Sequence, residues 1–333
     1  MTRPLLAIED LSVGFRTSRG TVLANKHLSL TVAAGETLGI VGESGSGKSV
    51  LCRAILRLLP SPPAEITAKS LSFAGHDLLK LKPAEMRSVR GQDIAMVFQN
   101  PMTSLNPVWP IGDQVSEGLR IHRGLGKAAA RKAAIDILKR VGIPSAELRV
   151  DDYPYQWSGG MMQRAVIAMA MTGQPKLLLA DEPTTALDVT IQDQILSLLM
   201  ELQREAGMAI ILVSHDMSVV SETCDRVAVM YAGSIVELGE AAAILTAPKH
   251  PYTHGLLRSI PHLDVPSGRL ATIGGQPPDL ATLEPGCPFA PRCPVASAEC
   301  RTLPIVLKAL PGGRATACHF PERVADLDRQ AAS

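Results

Sequence analysis

Gly42-Glu43-Ser44-Gly45-Ser46-Gly47-Lys48-Ser49 follows directly on the short apolar run Thr37-Leu38-Gly39-Ile40-Val41. The octet fits G-x-x-x-x-G-K-[ST], a phosphate loop between a buried strand and a helix. Its glycines let backbone N–H groups close around phosphates at a helix N-terminus, where anions are favoured. Lys48 adds a point charge, and the Ser49 hydroxyl suits Mg²⁺. A merely structural glycine-rich turn has no need of that Lys-Ser ending.

Other motifs follow in order. Leu179-Ala180-Asp181-Glu182 ends an apolar strand in two carboxylates. Asp181 is expected to hold the Mg²⁺ shell across from Ser49, and Glu182 to polarise an attacking water. In Ser214-His215-Asp216, the histidine comes after the apolar strand 208–213, at the carboxyl edge of a sheet where phosphates bind. Ser158-Gly159-Gly160 opens a segment of helical spacing, 161–172, and so offers a second anion site. One nucleotide does not need two such sites in one chain. The economical reading gives this one to the γ-phosphate of a nucleotide held by a partner subunit; the bland reading is an ordinary capped helix.

Outward from the motifs, residues 5–15 and 27–32 alternate apolar and polar side chains, as half-buried antiparallel strands do. Residues 50–59 read as a helix stopped by Pro60, and 94–98 as a buried strand. The interval 100–172 has another character: residues 127–141 are rich in Ala and Lys/Arg, with Ile135 and Leu138 on one face and Gly142 as the stop. It reads as a helical insertion between two strands of the core. Ile191, Ile195, Leu198 and Leu202 mark an amphipathic helix. Residues 226–231 and 234–238 read as strands joined by the turn Ala232-Gly233. Beyond about Gly239, Pro, Gly and Cys dominate and periodicity fades, which places a boundary between domains 1–239 and 240–333.

Composition narrows the function. A net charge of +1 over 333 residues leaves no basic footprint for nucleic acid. No signal peptide is legible at the start, and no apolar run reaches the roughly 18 residues that cross a bilayer. The expectation is a cytoplasmic chain that reaches the membrane only through partners.

Together the motifs resemble those of ATP-binding cassette (ABC) transporter ATPases over roughly residues 5–240. Residues 42–49 match the Walker A motif, Val97-Phe98-Gln99 the Q-loop, and Ser158-Gly159-Gly160-Met161-Met162-Gln163-Arg164 the signature. Residues 177–182 match Walker B, Ala186-Leu187-Asp188 the D-loop, and His215 the switch histidine. The resemblance implies an α/β phosphate-loop core with an antiparallel β subdomain and the α-helical insertion. It implies that Lys48, Gln99, Glu182 and His215 are catalytic, and that Ser49, Gln99 and Asp181 hold Mg²⁺. ATP would lie on Gly42, Glu43, Ser44, Gly45, Ser46, Gly47, Lys48, Ser49 and Gln99, with Phe15 as the platform for adenine. Ser158, Gly159, Gly160 and Gln163 would act on the partner's nucleotide. One departure is Trp157, where the family usually has leucine.

Asn100-Pro101-Met102-Thr103-Ser104-Leu105-Asn106-Pro107, His250-Pro251-Tyr252-Thr253-His254-Gly255-Leu256-Leu257 and Gly286-Cys287-Pro288-Phe289-Ala290-Pro291-Arg292-Cys293 are similar to the oligopeptide/dipeptide importer branch. That likeness extends through about Cys318. It implies a second, homologous ATPase subunit, two membrane permeases and a solute-binding protein outside the membrane, with this chain peripheral on the cytoplasmic face of a bacterial inner membrane. The competing classes are a soluble ABC ATPase acting on DNA or ribosomes and a small-molecule kinase. Neither suits a single cassette of near-zero charge that carries a signature and a switch histidine.

Six cysteines in a cytosolic chain argue against disulfides. Cys52 and Cys224 read as small apolar residues of the cassette. Cys287, Cys293, Cys300 and Cys318 share the irregular tail, where four thiolates suit zinc or an iron–sulfur cluster. Their spacing matches neither zinc hairpins nor ferredoxins; the resemblance to the importer tail is what favours a [4Fe–4S] cluster.

Overall fold

A computed structural model of the chain describes residues 3–18, 20–185, 187–259 and 272–331. Compactness divides the chain differently from composition. One unit joins residues 32–36 to 76–213; the other joins 6–31, 37–75 and everything from Ser214 onward.

In the first unit the strands Ile94–Val97, Leu177–Asp181 and Ala209–Ser214 run parallel, with Ile94 opposite Leu177 and Leu177 opposite Ala209. The last two are buried at every residue, as parallel strands covered on both faces must be. Between the first and second strands the chain forms five helices: Pro101–Ser104, Ile111–Arg123, Lys127–Arg140, Ala146–Arg149 and Gly159–Met171. Lys127–Arg140 buries Ala130, Ala134 and Leu138 along one stripe and ends at Gly142, whose N–H bonds the Lys139 carbonyl. The 18-residue helix Val189–Ala206 buries Ile195, Leu198 and Leu202 as its periodicity predicts.

The second unit holds an antiparallel sheet in which Leu6–Thr17 pairs with Ala64–Thr67 and Ser70–Phe73. It also holds the parallel pair Thr37–Val41 and Arg226–Tyr231. The hairpin Arg226–Tyr231/Ser234–Glu240 turns at Ala232-Gly233. The helix after the phosphate loop, Lys48–Ile55, is shorter than the prolines alone suggest. Arg57 adopts φ 51° and Leu58 N–H reaches back to the Arg53 carbonyl, so a Schellman-type cap closes the helix before Pro60 is reached.

The tail belongs to this second unit. Its strand Arg314–Thr316 adds to Ser234–Glu240, with Glu237 opposite Thr316, and Lys308–Leu310 adds to it in turn. Glu237 is wholly buried and accepts from the backbone N–H groups of Lys249 (2.7 Å) and His250 (2.9 Å) and from Arg314 (2.9 Å). A buried carboxylate is tolerable only with such partners. His250 then caps the helix Pro251–Arg258, its Nδ1 accepting from Tyr252 N–H at 3.1 Å. Tyr231, Tyr252 and Phe289 stack into one aromatic cluster, with ring centroids 4.5–5.4 Å apart.

Burial pushes the His250 ring down to about 3 from an ordinary 6.5. The unfolded chain therefore takes up a proton below pH 6.5 that the folded tail refuses, and stability falls with acidification by about 1.4 kcal/mol per pH unit from this group. Glu237, pushed up by burial, acts in the opposite sense, so the comparison must be between variants. His250→Asn keeps an acceptor for the cap. Urea midpoints measured from pH 7 to pH 4 should fall less steeply in His250→Asn than in the parent chain; equal slopes would contradict the assignment.

Candidate functional site: a phosphate loop and a carboxylate pair

In the second unit, the loop 42–49 leaves the buried strand Thr37–Val41 and enters the helix Lys48–Ile55. Its carbonyl oxygens are occupied from within the protein. Lys48, itself only 4% exposed, donates to the carbonyls of Gly42 (2.7 Å) and Glu43 (3.0 Å). Gly233 N–H takes the Ser46 carbonyl at 3.1 Å, and Asn25 Nδ2 takes that of Gly47 at 3.0 Å. A loop whose oxygens are committed in this way turns its N–H face to an anion. Gly47 has φ 98°, and a Cβ there would stand 2.5 Å from both the Ala24 carbonyl oxygen and Asn25 Nδ2, so only glycine fits. In the same unit, half-buried Phe15 lies in the sheet opposite Ala64, and exposed His215 precedes the helix Met217–Thr223 that Asp216 caps.

In the first unit Asp181, buried, ends the strand Leu177–Asp181. Glu182 follows in a left-handed conformation, φ 47°, that turns its carboxylate out of the strand path. The carboxylate accepts from Gln99 Nε2 at 2.9 Å and Thr185 Oγ1 at 3.0 Å, and Glu182 N–H bonds the Val213 carbonyl. The structure thus brings Gln99 and Glu182 into direct contact. Such strained backbone persists where neighbours over-determine it.

The signature begins the helix Gly159–Met171. Ser158 caps it through Met161 N–H (3.3 Å) and, like Gly159, is exposed, whereas Gln163 is buried. A Cβ on Gly160 would come within 2.9 Å of Ile191 Cγ2, so this glycine serves packing against Val189–Ala206. Trp157 fills a buried slot, and its indole N–H reaches Asp152 at 3.1 Å, which accommodates the larger ring. Asp188 caps Val189–Ala206 through Ile191 N–H; Ala186, beside it in the expected D-loop, lies outside the described residues.

Comparison with known proteins places these sites in a lineage. A family described as ABC transporter matches residues 25–185, and the oligopeptide/dipeptide transporter C-terminal region matches 236–300. The chain is 50% identical to the dipeptide transport ATP-binding protein DppD of Bacillus subtilis, over 89% of this chain and 88% of that one. It is 47% identical to DppD of Escherichia coli, over 95% and 97%. The chain belongs to the ABC transporter ATPases of the peptide-import type. Among solved structures, an ATP-binding cassette dimer in a post-hydrolysis state, bound to ADP and phosphate, superposes with a TM-score of 0.64 at 27% identity, over 71% of this chain and 98% of that one. As a member of this family the chain is an ATPase, its ATP hydrolysis coupled to transport.

The iron–sulfur expectation does not find geometric support. Among the described residues, no three His, Cys, Asp or Glu side chains stand in an arrangement that holds a metal ion. Cys287, Cys293, Cys300 and Cys318 are all half-buried free thiols. Burial first, and then the charges of the other tail cysteines, push Cys293 up to about 11 and Cys318 to about 12. Sequence reading also missed Asn25, Gly233, Tyr252 and Arg292 as residues that shape the loop. The last two carried a signal as polar members of the tail motifs, and Gly233 as a turn residue only.

Replacing Gly47 by alanine should lower ATP affinity at least about tenfold, since the loop must give way to the added Cβ. Equilibrium binding of ATP–Mg²⁺ checks it; parental affinity would contradict the close approach described.

Proposed function

We propose that the chain is the energising subunit of a peptide importer. It pairs with a second, homologous ATPase beneath two membrane permeases that a solute-binding protein supplies. The observation that carries the reading is the Gln99–Glu182 hydrogen bond, which ties a loop residue to the carboxylate beside Asp181. A nucleotide-dependent break or shift of that bond would be felt along residues 98–109. Met102 (69% exposed), Val108 (72%) and Trp109 (48%) give that segment an apolar surface suited to a permease loop. Among the described residues no helix is long and apolar enough to cross a membrane; the peripheral place on the cytoplasmic face follows from the likeness to ATP-binding subunits of bacterial peptide importers. The cargo class follows the names of the relatives.

In this reading residues 42–49 grip the phosphates, Lys48 contributes its charge, and Phe15 stacks on adenine. Ser49, Gln99 and Asp181 would hold Mg²⁺, an all-oxygen donor set suited to it, which supplies charge neutralisation on the phosphates. Glu182 takes the proton of the attacking water, and His215 faces the γ-phosphate. Ser158, Gly159, Gly160 and Gln163 address the partner's nucleotide, and the exposure of Ser158 and Gly159 supports this. Asp188 orients the D-loop. Residues 100–172 act as the helical subdomain within a cassette of residues 1–239, and residues 240–333 as the tail domain.

Glu182→Gln keeps the Gln99 contact but removes the base. ATP binding should persist while hydrolysis falls by about 10²–10⁴, and the protein should co-purify with two integral membrane proteins. Near-parental turnover would reject the assignment.

For the tail, the family likeness alone supports a four-thiolate centre on Cys287, Cys293, Cys300 and Cys318, [4Fe–4S] in kind, with a structural role. Protein purified without oxygen should be brown and contain iron and sulfide. Zinc without iron would replace the cluster, and no metal would leave four thiols.

A further inference from the structure

Residue 43, second in the phosphate loop, is held almost entirely by the tail. Its N–H donates to Tyr252 Oη at 2.7 Å. Its carboxylate receives both terminal nitrogens of Arg292, at 2.7 and 2.9 Å, in a bidentate pair. The Arg292 side chain is 5% exposed, and that of Glu43 25%. Arg292 is in turn fixed by the Gly274 carbonyl (2.8 Å), by Tyr231 Oη (3.2 Å) and by the faces of Tyr231 and Phe289. Tyr252 is fully buried against those same two rings.

The peptide that joins Gly42 to Glu43 is where this matters. Its N–H is the group bonded to Tyr252, and its carbonyl, Gly42 O, is the one that receives the Lys48 ammonium at 2.7 Å. A peptide unit is planar, with N–H and C=O on opposite sides. Fixing one side therefore fixes the other. The next carbonyl, of Glu43 itself, also receives Lys48, and the side chain of that residue is anchored by Arg292.

We propose that Tyr252 and Arg292 are positioning residues for ATP binding. By orienting the Gly42–Glu43 peptide and clamping Glu43, they hold Lys48 and the loop in phosphate-binding geometry, so that the tail sets the affinity of the cassette for ATP. These contacts lie away from bulk water, which makes their loss hard for solvent to replace. The tail thus gains a role besides any metal it carries: Arg292 is the immediate neighbour of Cys293, and Phe289 lies two residues beyond Cys287.

The test uses the full chain, with equilibrium binding of ATP–Mg²⁺ and thermal melting recorded for every variant. Tyr252→Phe leaves the ring in its slot and removes only the hydroxyl; ATP affinity should fall about threefold to tenfold. Arg292→Gln should lose as much or more, and Arg292→Lys, which restores a charge opposite Glu43, should recover part of it. Leu256→Ala loosens the same aromatic cluster without touching the loop. It should lower the melting temperature yet keep affinity within about twofold of the parent. Unchanged affinity in Tyr252→Phe overturns the proposal. So does a loss in Leu256→Ala that matches the Tyr252→Phe loss, because general softening of the tail would then account for both. Should Arg292→Gln fail to fold, Tyr252→Phe and Leu256→Ala decide the matter between them.

Discussion

A loop that is to bind phosphate has to dispose of its own carbonyl oxygens first. Here four of them, on Gly42, Glu43, Ser46 and Gly47, are taken by Lys48, Gly233 and Asn25. The rest of the second unit is arranged to make those bonds available. Gly233 sits in the turn between Arg226–Tyr231 and Ser234–Glu240, so the hairpin that builds the sheet also supplies a donor to the loop. Asn25 comes from the strand Gly20–Val32, which joins loop geometry to the register of the antiparallel sheet. Lys48 does two jobs with one ammonium group: its charge suits phosphate, and its hydrogen bonds keep the entry to the loop closed on itself.

The sequence made the machinery legible and left its supports obscure, for a physical reason. The strands that lead into the candidate site residues are short, apolar and buried, so the runs before Gly42 and after Lys176 stand out from their surroundings; both form strands as expected, and Val189–Ala206 forms the helix that its apolar spacing predicts. The helix after the loop was overextended because Arg57, an ordinary residue by propensity, takes a left-handed φ that tertiary context imposes. The tail was the least legible region. Its order comes from long-range polar pairs, Glu237 with Arg314 and Glu43 with Arg292, and from strands of three residues. None of these leaves a periodic trace. Tyr252 and Arg292 were visible as members of motifs, but their bonds to a loop some two hundred residues away were not.

The four tail cysteines show a related limit. Their residue types and company suggest a metal centre, and all four are half-buried, but among the described residues no three stand as metal ligands. Desolvation favours the neutral thiol, whereas metal binding demands thiolate. A metal would therefore have to displace protons that the tail, as it stands, retains. This makes loading of any such centre pH-dependent: rising pH removes the competing protons and favours it.

The carboxylate pair sits on the opposite kind of ground. Asp181 remains in the strand and is buried, while Glu182 leaves it through a left-handed turn and is half-buried, so two adjacent acids meet different environments. The turn is held at both ends, by Glu182 N–H on the Val213 carbonyl and by Thr185 Oγ1 on the carboxylate. Gln99 completes the cage from another strand end. Gln99 and Thr185 both donate to the same carboxylate, from a loop and from the turn itself. Such a cage fixes where the carboxylate stands, which the proposed role of Glu182 as base requires.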